Sequence, residues 1–334
     1  MDLSQKTIIT GGAGFIGARL CNFLLTKGIA PQDLLIFDEG AKYNSRKCTL
    51  PLRKAGVECI EFEKLSEYLA QSPAQPKVFY HMGAISNTEE KDVQKLDKQN
   101  VEYSKMIWEY SIQKEVPFYY ASSASTYGDG SLGFNDDHSL FSKLKPLNFY
   151  AQSKQSFDLF VLEELTKNRS PKNWAGFKFF NVYGPGEDHK GSQGSVIWPA
   201  KKQILESGVV KLFQSHNPAY KDGEQKRDFV YVGDLCKVLN FFYESKSQNG
   251  IYNLGTGQAR TFKDLVMAVS KALNKEVKIE YIPTPESLRA QYQYFTEATL
   301  SKLRAAGYKE PMTDLNEGVR LSIREDEELS TTHL

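Results

Sequence analysis

The chain has 334 residues, of which 40% are hydrophobic and 25% charged, enough for one large domain or two ordinary domains with cores of their own. A formal net charge of +1 gives no overall basic field and so disfavours a nucleic-acid-binding protein. No apolar run approaches the roughly 18 to 20 residues of a membrane span, and the N-terminus lacks the regions of a signal peptide. The four cysteines have no CxxC or metal-finger spacing, so we expect a cytoplasmic protein with reduced thiols, no membrane partner and no bound metal.

The chain begins with a pattern typical of a dinucleotide-binding unit. A β-branched run at 7–10 predicts a buried strand, a glycine-rich turn and a helical pattern follow, and a second strand is predicted at 34–38. Gly11 permits the tight turn, Gly14 lets the backbone approach a pyrophosphate, and Gly17 lets the helix pack close to the sheet. The sequence therefore predicts a binding site for NAD or NADP.

The residues after the second strand leave the choice between NAD and NADP open. Asp38 is expected to accept hydrogen bonds from the adenosine ribose, and Glu39 adds a second negative charge that would repel a 2′-phosphate. Lys42, Arg46 and Lys47 lie just downstream and would neutralise such a phosphate.

Two further strands are predicted to end in residues suited to a ligand. A strand at 77–80 leads through His81 into the small residues of 82–86, over which a cofactor could lie, and we expect His81 to pack in the core. A strand at 116–121 ends in the serine-rich segment 122–128. The carboxyl ends of parallel strands are where α/β sheets bind ligands, so a serine there is placed to bond a reacting oxygen, unless it only caps the next turn.

A helix predicted over 150–167 carries the most chemically suggestive pair. Tyr150 and Lys154 are four residues apart and share one helix face. A nearby ammonium is expected to favour the phenolate, so that the tyrosine can exchange a proton with a substrate hydroxyl. Taken alone, the pair would more often be one turn of a solvated helix.

The remaining elements alternate helix and strand. A strand is predicted at 175–180, followed by a glycine-rich charged loop at 181–192, and further strands at about 226–232 and 251–254. We expect the polar tail from 326 to 334 to be disordered.

The ordered combination of these motifs resembles the extended short-chain dehydrogenase/reductase superfamily, which includes many nucleotide-sugar epimerases and dehydratases. The combination consists of the glycine pattern at 11–17, Ser122-Ser123 before Thr126-Tyr127-Gly128, and Tyr150-x-x-x-Lys154. Within the superfamily, finer marks resemble the ADP-heptose 6-epimerase family of lipopolysaccharide core assembly, and they cover nearly the whole chain except about 41–76 and the last ten residues. These marks lie at 120–123, 146–148, 180–185, 189–192, 226–234, 292–293 and 303–308.

The resemblance implies an α/β fold, with a Rossmann-type doubly wound parallel sheet and a smaller C-terminal α/β substrate-binding domain. It implies that residues 1–180, with about 229–258, bind the cofactor, and that 181–228 with 259–325 bind the substrate. It further implies an isomerase that inverts C6 of an ADP-activated heptose by transient oxidation. NADP is the implied cofactor, with NAD possible, and a homo-oligomer is implied because family members form homopentamers.

Residue roles follow from the same resemblance. Tyr150 is expected to transfer the first proton, with Lys154 as its partner and as a ligand of the nicotinamide ribose. Ser123 is expected to bond the reacting oxygen, and Lys190 to act as a second base. The expected cofactor-binding residues are Gly11, Gly14, Phe15, Ile16, Gly17, Asp38, Glu39, Lys42, Met82, Gly83, Ala84, Ile85, Ser86, Asn100, Lys154 and Val182. The expected substrate-binding residues are Ser123, Asn181, Lys190, Ser192, Phe213, Gln214, Arg227 and Tyr292.

Four positions depart from the family pattern. Glu39 stands where the family usually has Asn, Met82 replaces a usual Glu, Gly186 a usual Arg, and Lys178 an Arg in its strand. The first departure bears on the cofactor, and the next two bear on substrate contacts.

Three alternatives differ from this reading in the reaction or in the class of protein. A nucleotide-sugar 4-epimerase shares the fold, but the His189-Lys190-Gly191 segment favours the heptose enzymes. A 4,6-dehydratase would carry an Asp-Glu pair where this chain has Ala124-Ser125. A non-catalytic dinucleotide sensor on the same fold would tend to lose Tyr150 or Lys154, and this chain retains both.

Overall fold

The computed structural model describes residues 2–289 and 292–331. The strands are Thr7–Thr10 (β1), Leu34–Asp38 (β2), Glu58–Glu61 (β3), Val78–His81 (β4), Phe118–Ser123 (β5), Trp174–Phe179 (β6), Asn181–Tyr183 (β7), Val209–Phe213 (β8), Lys226–Tyr231 (β9), Gly250–Leu254 (β10), Ala259–Thr261 (β11) and Lys278–Ile282 (β12). The α-helices are Phe15–Thr26 (α1), Gly40–Ser45 (α2), Leu50–Lys54 (α3), Leu65–Gln71 (α4), Val93–Leu96 (α5), Tyr103–Gln113 (α6), Phe149–Thr166 (α7), Ile197–Ser207 (α8), Val232–Ser245 (α9), Phe262–Leu273 (α10), Glu286–Arg289 (α11), Ser301–Ala305 (α12) and Leu315–Thr331 (α13).

A parallel sheet organises the larger part of the molecule. Within the described residues it has seven strands in the order β10-β6-β5-β4-β1-β2-β3, and every neighbouring pair is parallel. The chain runs outward from β1 in one direction through β2 and β3, and in the other direction through β4, β5 and β6. Ligands of such sheets bind at the carboxyl ends of the strands where the order reverses, here between β1 and β4. The predicted doubly wound parallel fold is confirmed.

The strands of this sheet form because their sequences are nearly continuous apolar runs. All residues of β1, β4, β6 and β10 are buried, as expected for strands covered by helices on both faces. Aromatic rings fill much of the space around β5, where Tyr120 packs edge-on against Phe157 of α7 with centroids 4.9 Å apart. This packing fixes the position of α7 relative to the end of β5.

Two small sheets accompany the large one. The first has the order β11-β9-β7, and the second pairs β8 with β12. They pack with α8, α10 and α13 around a second apolar core that includes Ile197, Val210, Phe229 and Val266. Strand β9 therefore belongs to the three-stranded sheet, whereas β10, which follows after α9, returns to the large sheet.

The C-terminal segment differs from the disordered tail expected over 326–334. The chain remains helical through Thr331 in α13, and residues 332–334 lie outside the described part. Glu325 accepts a hydrogen bond from Tyr231 at 2.9 Å and pairs with Arg19, while Asp326 lies 3.4 Å from Lys47. The polar composition was misleading because these carboxylates meet cations on α1 and beside it, so the acidic turn docks on the protein.

One smaller difference concerns a boundary. The start of the loop predicted at 181–192 is the short strand β7. None of the helices in the described ranges is long and apolar enough to cross a membrane.

Candidate active site

The glycine-rich turn between β1 and α1 has the shape that a bound dinucleotide requires. Gly11 has a positive φ of 72°, and a Cβ there would lie 2.5 Å from the Cα of Gly83, so the turn and the segment after β4 touch backbone to backbone. A Cβ on Gly17 would overlap the carbonyl oxygen of Gly11. Gly14 is the N-cap of α1 and supplies no capping side chain, so N–H groups of the first helical turn remain available to an anion. These residues fit a nicotinamide dinucleotide.

The end of β2 surrounds this turn with charged groups. Asp38 accepts hydrogen bonds from the backbone N–H groups of Ala13 at 2.8 Å and Glu39 at 2.7 Å, and burial raises the pKa of its carboxyl. Arg46 donates to the carbonyl of Ala13 at 2.9 Å, and Lys42 pairs with Glu39. Asp38 thus braces the glycine turn itself, and Arg46 places a guanidinium beside it.

Asn100 holds the segment that follows β4. Its side-chain oxygen accepts from Ile85 N–H at 2.8 Å, and its amide nitrogen donates to the Ile85 carbonyl at 3.0 Å and to Ser153 Oγ at 2.9 Å. Both amide hydrogens and the oxygen are therefore used within the protein. Asn100 links the backbone of 82–86 to α7, the helix that carries Tyr150.

His81 lies in the core, as expected. Its Nδ1 is 2.6 Å from Thr10 Oγ1 and its Nε2 is 2.8 Å from Ser104 Oγ. Ser104 donates its own proton to the Asn100 carbonyl at 2.7 Å, so Nε2 carries the histidine proton and Nδ1 accepts from Thr10. Burial lowers the pKa of His81 to about 3, which keeps the ring neutral.

The helix α7 begins where a side chain caps it. Asn148 is the N-cap, and its side-chain oxygen accepts from Ala151 N–H at 2.8 Å. This cap starts the helix at Phe149 and places Tyr150 in its first turn, with Lys154 buried one turn further along.

Tyr150, Ser123 and Lys154 meet at the carboxyl end of β5. Burial raises the pKa of Tyr150, and a hydrogen bond with Ser123 acts in the opposite direction. Lys154 donates to the carbonyl of Ala121 at 2.9 Å, and burial lowers its pKa to about 8. Desolvation therefore outweighs the lowering of the Tyr150 pKa that a nearby ammonium was expected to produce, and the ammonium of Lys154 is engaged by a carbonyl of β5.

Lys190 lies beside the glycine turn. Its Nζ is 5.1 Å from the ring centre of Phe15, the first residue of α1, and 3.9 Å from a carboxylate oxygen of Glu187. Burial lowers the pKa of Lys190, and the charge of Glu187 opposes that shift. Glu187 is buried and accepts from Gly184 N–H at 3.0 Å and from both the N–H and the hydroxyl of Ser195 at 2.9 Å. Glu187 thus ties together the two ends of the loop that carries Lys190.

Arg227 of β9 lies in an aromatic enclosure. Its guanidinium carbon is 5.4 Å from the ring centre of Tyr292 and 5.7 Å from that of Phe262. No carboxylate of the described residues lies within 4 Å, and burial lowers its pKa to about 10. Further rings, with centroids 4.9 to 5.8 Å apart, extend the enclosure: His216, Tyr220 and Tyr294. A buried guanidinium without an acidic partner is suited to an anionic ligand.

The other predicted substrate-binding residues lie in the small sheets or beside them. Phe213 ends β8, and Gln214 extends its pairing through an N–H bond to β12 at 2.8 Å. Asn181 and Val182 belong to β7, and Asn181 accepts from Thr296 at 3.4 Å. The side chain of Ser192 lies outside the described part.

Sequence reasoning missed several residues of this region. Glu187 lies three residues before Lys190 and reads as one more charged loop residue. His216 and Tyr220 lie four residues apart, but Tyr294 is distant from both in the chain, and only the aromatic character of the three signalled a contact. Among the described residues, no cluster of His, Cys, Asp and Glu is arranged to hold a metal ion.

Comparison with known proteins agrees with this geometry. Residues 7–255 match the model of the NAD-dependent epimerase/dehydratase family. Proteins named ADP-L-glycero-D-manno-heptose-6-epimerase are 43% identical in Nitratidesulfovibrio vulgaris strain DP4, over 95% of this chain and 97% of the relative, and 43% identical in Fusobacterium nucleatum subsp. nucleatum, over 94% and 95%.

Solved structures give the same result for the fold. The ADP-L-glycero-D-manno-heptose-6-epimerase of Helicobacter pylori superposes with a TM-score of 0.79 at 25% identity, covering 97% of each chain. The UDP-glucose 4-epimerase of Thermus thermophilus, solved with NAD, shares the fold with a TM-score of 0.74 at 24% identity over 96% of this chain and 99% of the other. The resemblance found in the sequence is confirmed, and the chain belongs to the NAD-dependent epimerase/dehydratase family.

Proposed function

We propose that the protein is an isomerase that interconverts ADP-D-glycero-D-manno-heptose and ADP-L-glycero-D-manno-heptose by transient oxidation at C6. The observation that carries the proposal is the placement of two proton-transfer groups at the carboxyl edge of the sheet. Tyr150 is hydrogen-bonded to Ser123 at the end of β5, and Lys190 lies against Phe15 after β1. Similarity to heptose epimerases over 95% of the chain supports the choice of sugar.

The chemistry needs a proton partner on each side of C6. A nicotinamide dinucleotide, when bound at the glycine turn, supplies a reversible hydride acceptor. Tyr150 exchanges the proton of the C6 hydroxyl while Ser123 hydrogen-bonds the same oxygen. Inversion requires the resulting ketone to be reduced on its opposite face, and there Lys190 exchanges the proton. Burial lowers the pKa of Lys190, so a larger fraction of its side chain is the neutral amine that can accept a proton.

The nucleotide end of the substrate is assigned to the aromatic enclosure. Arg227 offers a guanidinium to the diphosphate, and Tyr292 covers it. Asn181, Ser192, Phe213 and Gln214 are proposed as further substrate contacts. This division makes 181–228 with 259–325 the substrate-binding domain and 1–180 with about 229–258 the cofactor-binding domain.

The direct test is to incubate the purified protein with ADP-D-glycero-D-manno-heptose and follow the configuration at C6 by NMR. Appearance of the L-glycero epimer is expected. UDP-glucose offered in parallel tests the 4-epimerase alternative. Inversion at C4 of that sugar without any change at C6 of the heptose would overturn the proposal.

The second base has its own test. Lys190→Met is expected to block epimerisation of either epimer and to leave cofactor content unchanged, whereas Lys202→Met, an exposed lysine on α8, should retain activity. A substrate analogue with an aldehyde at C6 is already at the oxidation level of the carbonyl intermediate, so it tests the two faces of the site separately. Lys190→Met should still catalyse dismutation of the aldehyde on one face, and Tyr150→Phe on the other. Epimerisation by Lys190→Met at the wild-type rate would show that the second proton comes from elsewhere.

For the cofactor we propose NADP, with NAD as the alternative. Arg46 lies beside the glycine turn, and the pairing of Lys42 with Glu39 offsets the negative charge that would repel a 2′-phosphate. Denaturing the purified protein and identifying the released nucleotide decides between the two. Recovery of NAD alone would mean that Glu39 and Asp38 outweigh the neighbouring cations. We also propose that the protein is a homo-oligomer located in the cytoplasm. The mass of the protein in solution tests the oligomer.

A further inference from the structure

A buried ion pair lies directly behind the proposed catalytic residues. Lys178 of β6 and Asp158 of α7 have no exposed surface, and Nζ is 2.6 Å from Oδ2. Lys178 also donates to Thr126 Oγ1 at 2.7 Å. Asp158 accepts from Ser122 Oγ at 2.7 Å and from the Tyr120 hydroxyl at 3.0 Å. The pair therefore joins β5, β6, α7 and the turn after β5 at one point.

Each partner of this pair is connected through one neighbouring residue, or one helical turn, to a proposed catalytic residue. Thr126 donates to the carbonyl oxygen of Ser123 at 2.8 Å, and Ser122 precedes Ser123 in β5. On α7, Asp158 is one turn beyond Lys154 and two turns beyond Tyr150. The network thus connects the strand that carries the serine with the helix that carries the tyrosine.

Stability alone gives little reason for such a pair. Burying two charges costs desolvation free energy, and replacing a buried pair by apolar side chains of similar size is often neutral or stabilising. The same volume filled with apolar side chains would close the core equally well. It would not set the distance between β5 and α7 by directed hydrogen bonds, nor leave a negative charge one turn from Lys154.

We propose that the Lys178–Asp158 pair is a positioning device for the reaction: it fixes the serine turn relative to Tyr150 and keeps a carboxylate beside Lys154. The inference rests on the proposed roles of Ser123, Tyr150 and Lys154. Neither Lys178 nor Asp158 touches substrate or cofactor, because both are enclosed by protein.

The electrostatic part of the device acts on Lys154. The groups that interact with its ammonium are the carbonyl of Ala121 on β5, neutral His81 on β4 and Asp158 on α7. Burial lowers the pKa of Lys154, and the Asp158 charge is what raises it again. Removal of that charge should let the lysine lose its proton at lower pH.

Four variants separate positioning from folding. Asp158→Leu combined with Lys178→Met replaces the pair by apolar groups, and the Tyr120 and Ser122 hydroxyls lose their acceptor, so thermal stability should fall. The folded variant is expected to keep its cofactor content while kcat falls by more than about tenfold with little change in KM. Asp158→Asn should shift the alkaline limb of the kcat profile to lower pH. Lys178→Met alone is expected to lower kcat, whereas Lys178→Arg keeps the charge and the donors and should retain most of the wild-type activity.

Glu164→Gln is the matched control. Glu164 is a buried acid on the same helix that pairs with Lys167 and Arg169 at the far end, so its variant should leave kcat and the pH profile unchanged. A double variant with wild-type kcat would overturn the proposal. If the double variant does not fold, the pH profile of Asp158→Asn decides, and an unshifted limb overturns it.

One readout does not depend on the substrate. NMR titration of labelled lysine in wild-type protein and Asp158→Asn reports the pKa of Lys154 without turnover. A lower pKa in the variant supports the electrostatic role even if no C6 epimerisation is found, an outcome that would overturn the proposed function alone. If the pKa of Lys154 is unchanged in Asp158→Asn and the wild-type protein epimerises the heptose, the electrostatic role of Asp158 is overturned while the proposed function stands.

Discussion

Tyr150 shows how burial and hydrogen bonding compete at a single side chain. Desolvation favours the neutral phenol, and the bond to Ser123 favours the phenolate. At neutral pH the side chain is therefore a phenol that needs a directed partner before it can give or take a proton. Ser123 supplies that partner at the end of β5.

Tyr150→Phe removes only the hydroxyl, so the fold and the cofactor content should be unchanged. Turnover is expected to fall by about 100- to 10,000-fold, the range of general acid–base contributions. The measurement is kcat for heptose epimerisation together with the nucleotide released on denaturation. Tyr110→Phe, a half-buried tyrosine packed on Phe79, serves as the control and should be fully active. Activity of Tyr150→Phe within about threefold of wild type would rule out the tyrosine as proton carrier.

Lys154 should give the activity an alkaline limb. Its pKa of about 8 means that the ammonium is charged below that pH and neutral above it. In the proposed role of Lys154 as partner of Tyr150, this charge stabilises the phenolate during turnover, so kcat should decline as pH rises through about 8. A kcat profile measured from about pH 6 to about pH 10 reveals the limb, and a flat alkaline side would contradict this role.

At the scale of elements, local sequence patterns predicted what local interactions determine. The strand, glycine turn and helix at β1–α1 and the helix α7 carry their own signals, namely β-branched runs, glycines at fixed spacing and a capping Asn148. The enclosure of Arg227 could not be predicted in the same way, because His216 and Tyr294 are brought together only by the pairing of β8, β9 and β12. The helical course of α13 beyond residue 325 was missed because Asp326 and Glu327 pair with cations that are distant in the chain, Lys47 and Lys201.

Gly17→Ala tests the close contact between the turn and α1. The added methyl group would overlap the Gly11 carbonyl and push the helix away from the turn. Loss of bound nucleotide is therefore expected, measured by absorbance of the denatured supernatant. Gly28→Ala, at the end of the same helix, meets no neighbouring atom within 4 Å but has a φ of 92°, so it costs stability through strain alone. Full nucleotide content in Gly17→Ala would show that the contact is dispensable.

At the scale of the whole molecule, the β10 edge of the large sheet is covered by side chains. On β10, Ile251 N–H donates to His138 at 3.1 Å, and its carbonyl accepts from Lys302 at 2.8 Å. Asn253 N–H donates to Asp136 at 2.8 Å. An edge strand with its backbone groups engaged in this way offers no template for a foreign strand. His138 Nε2 accepts from the Ile251 N–H and also from Lys302 Nζ, which lies 2.8 Å away. Because a nitrogen that accepts carries no proton, the ring must stay neutral, and burial lowers the pKa of His138 to about 4.

Histidines that stay neutral in the folded protein make the fold sensitive to acid. The pKa of His81 is about 3, against an ordinary value of 6.5 in the unfolded chain, and that of His189 is about 4. Between pH 6.5 and these values the unfolded state binds a proton that the folded state does not, so stability is lost as pH falls. Each such proton contributes about 1.4 kcal/mol per pH unit to the slope.

Urea unfolding measured at intervals from about pH 7 down to about pH 4 should therefore show a declining free energy of unfolding. His81→Gln removes one titrating group, so its slope should be shallower than that of the wild type by one proton, whatever its stability at neutral pH. His138→Gln should reduce the slope independently, because His81 belongs to β4 whereas His138 lies beside β10, and the hydrogen bonds of the two side chains share no partner. An unchanged slope in His81→Gln would mean that the ring is already protonated in the folded protein. That result would conflict with the hydrogen bond that Nδ1 accepts from Thr10, the same threonine that supports Gly83 beside the glycine turn.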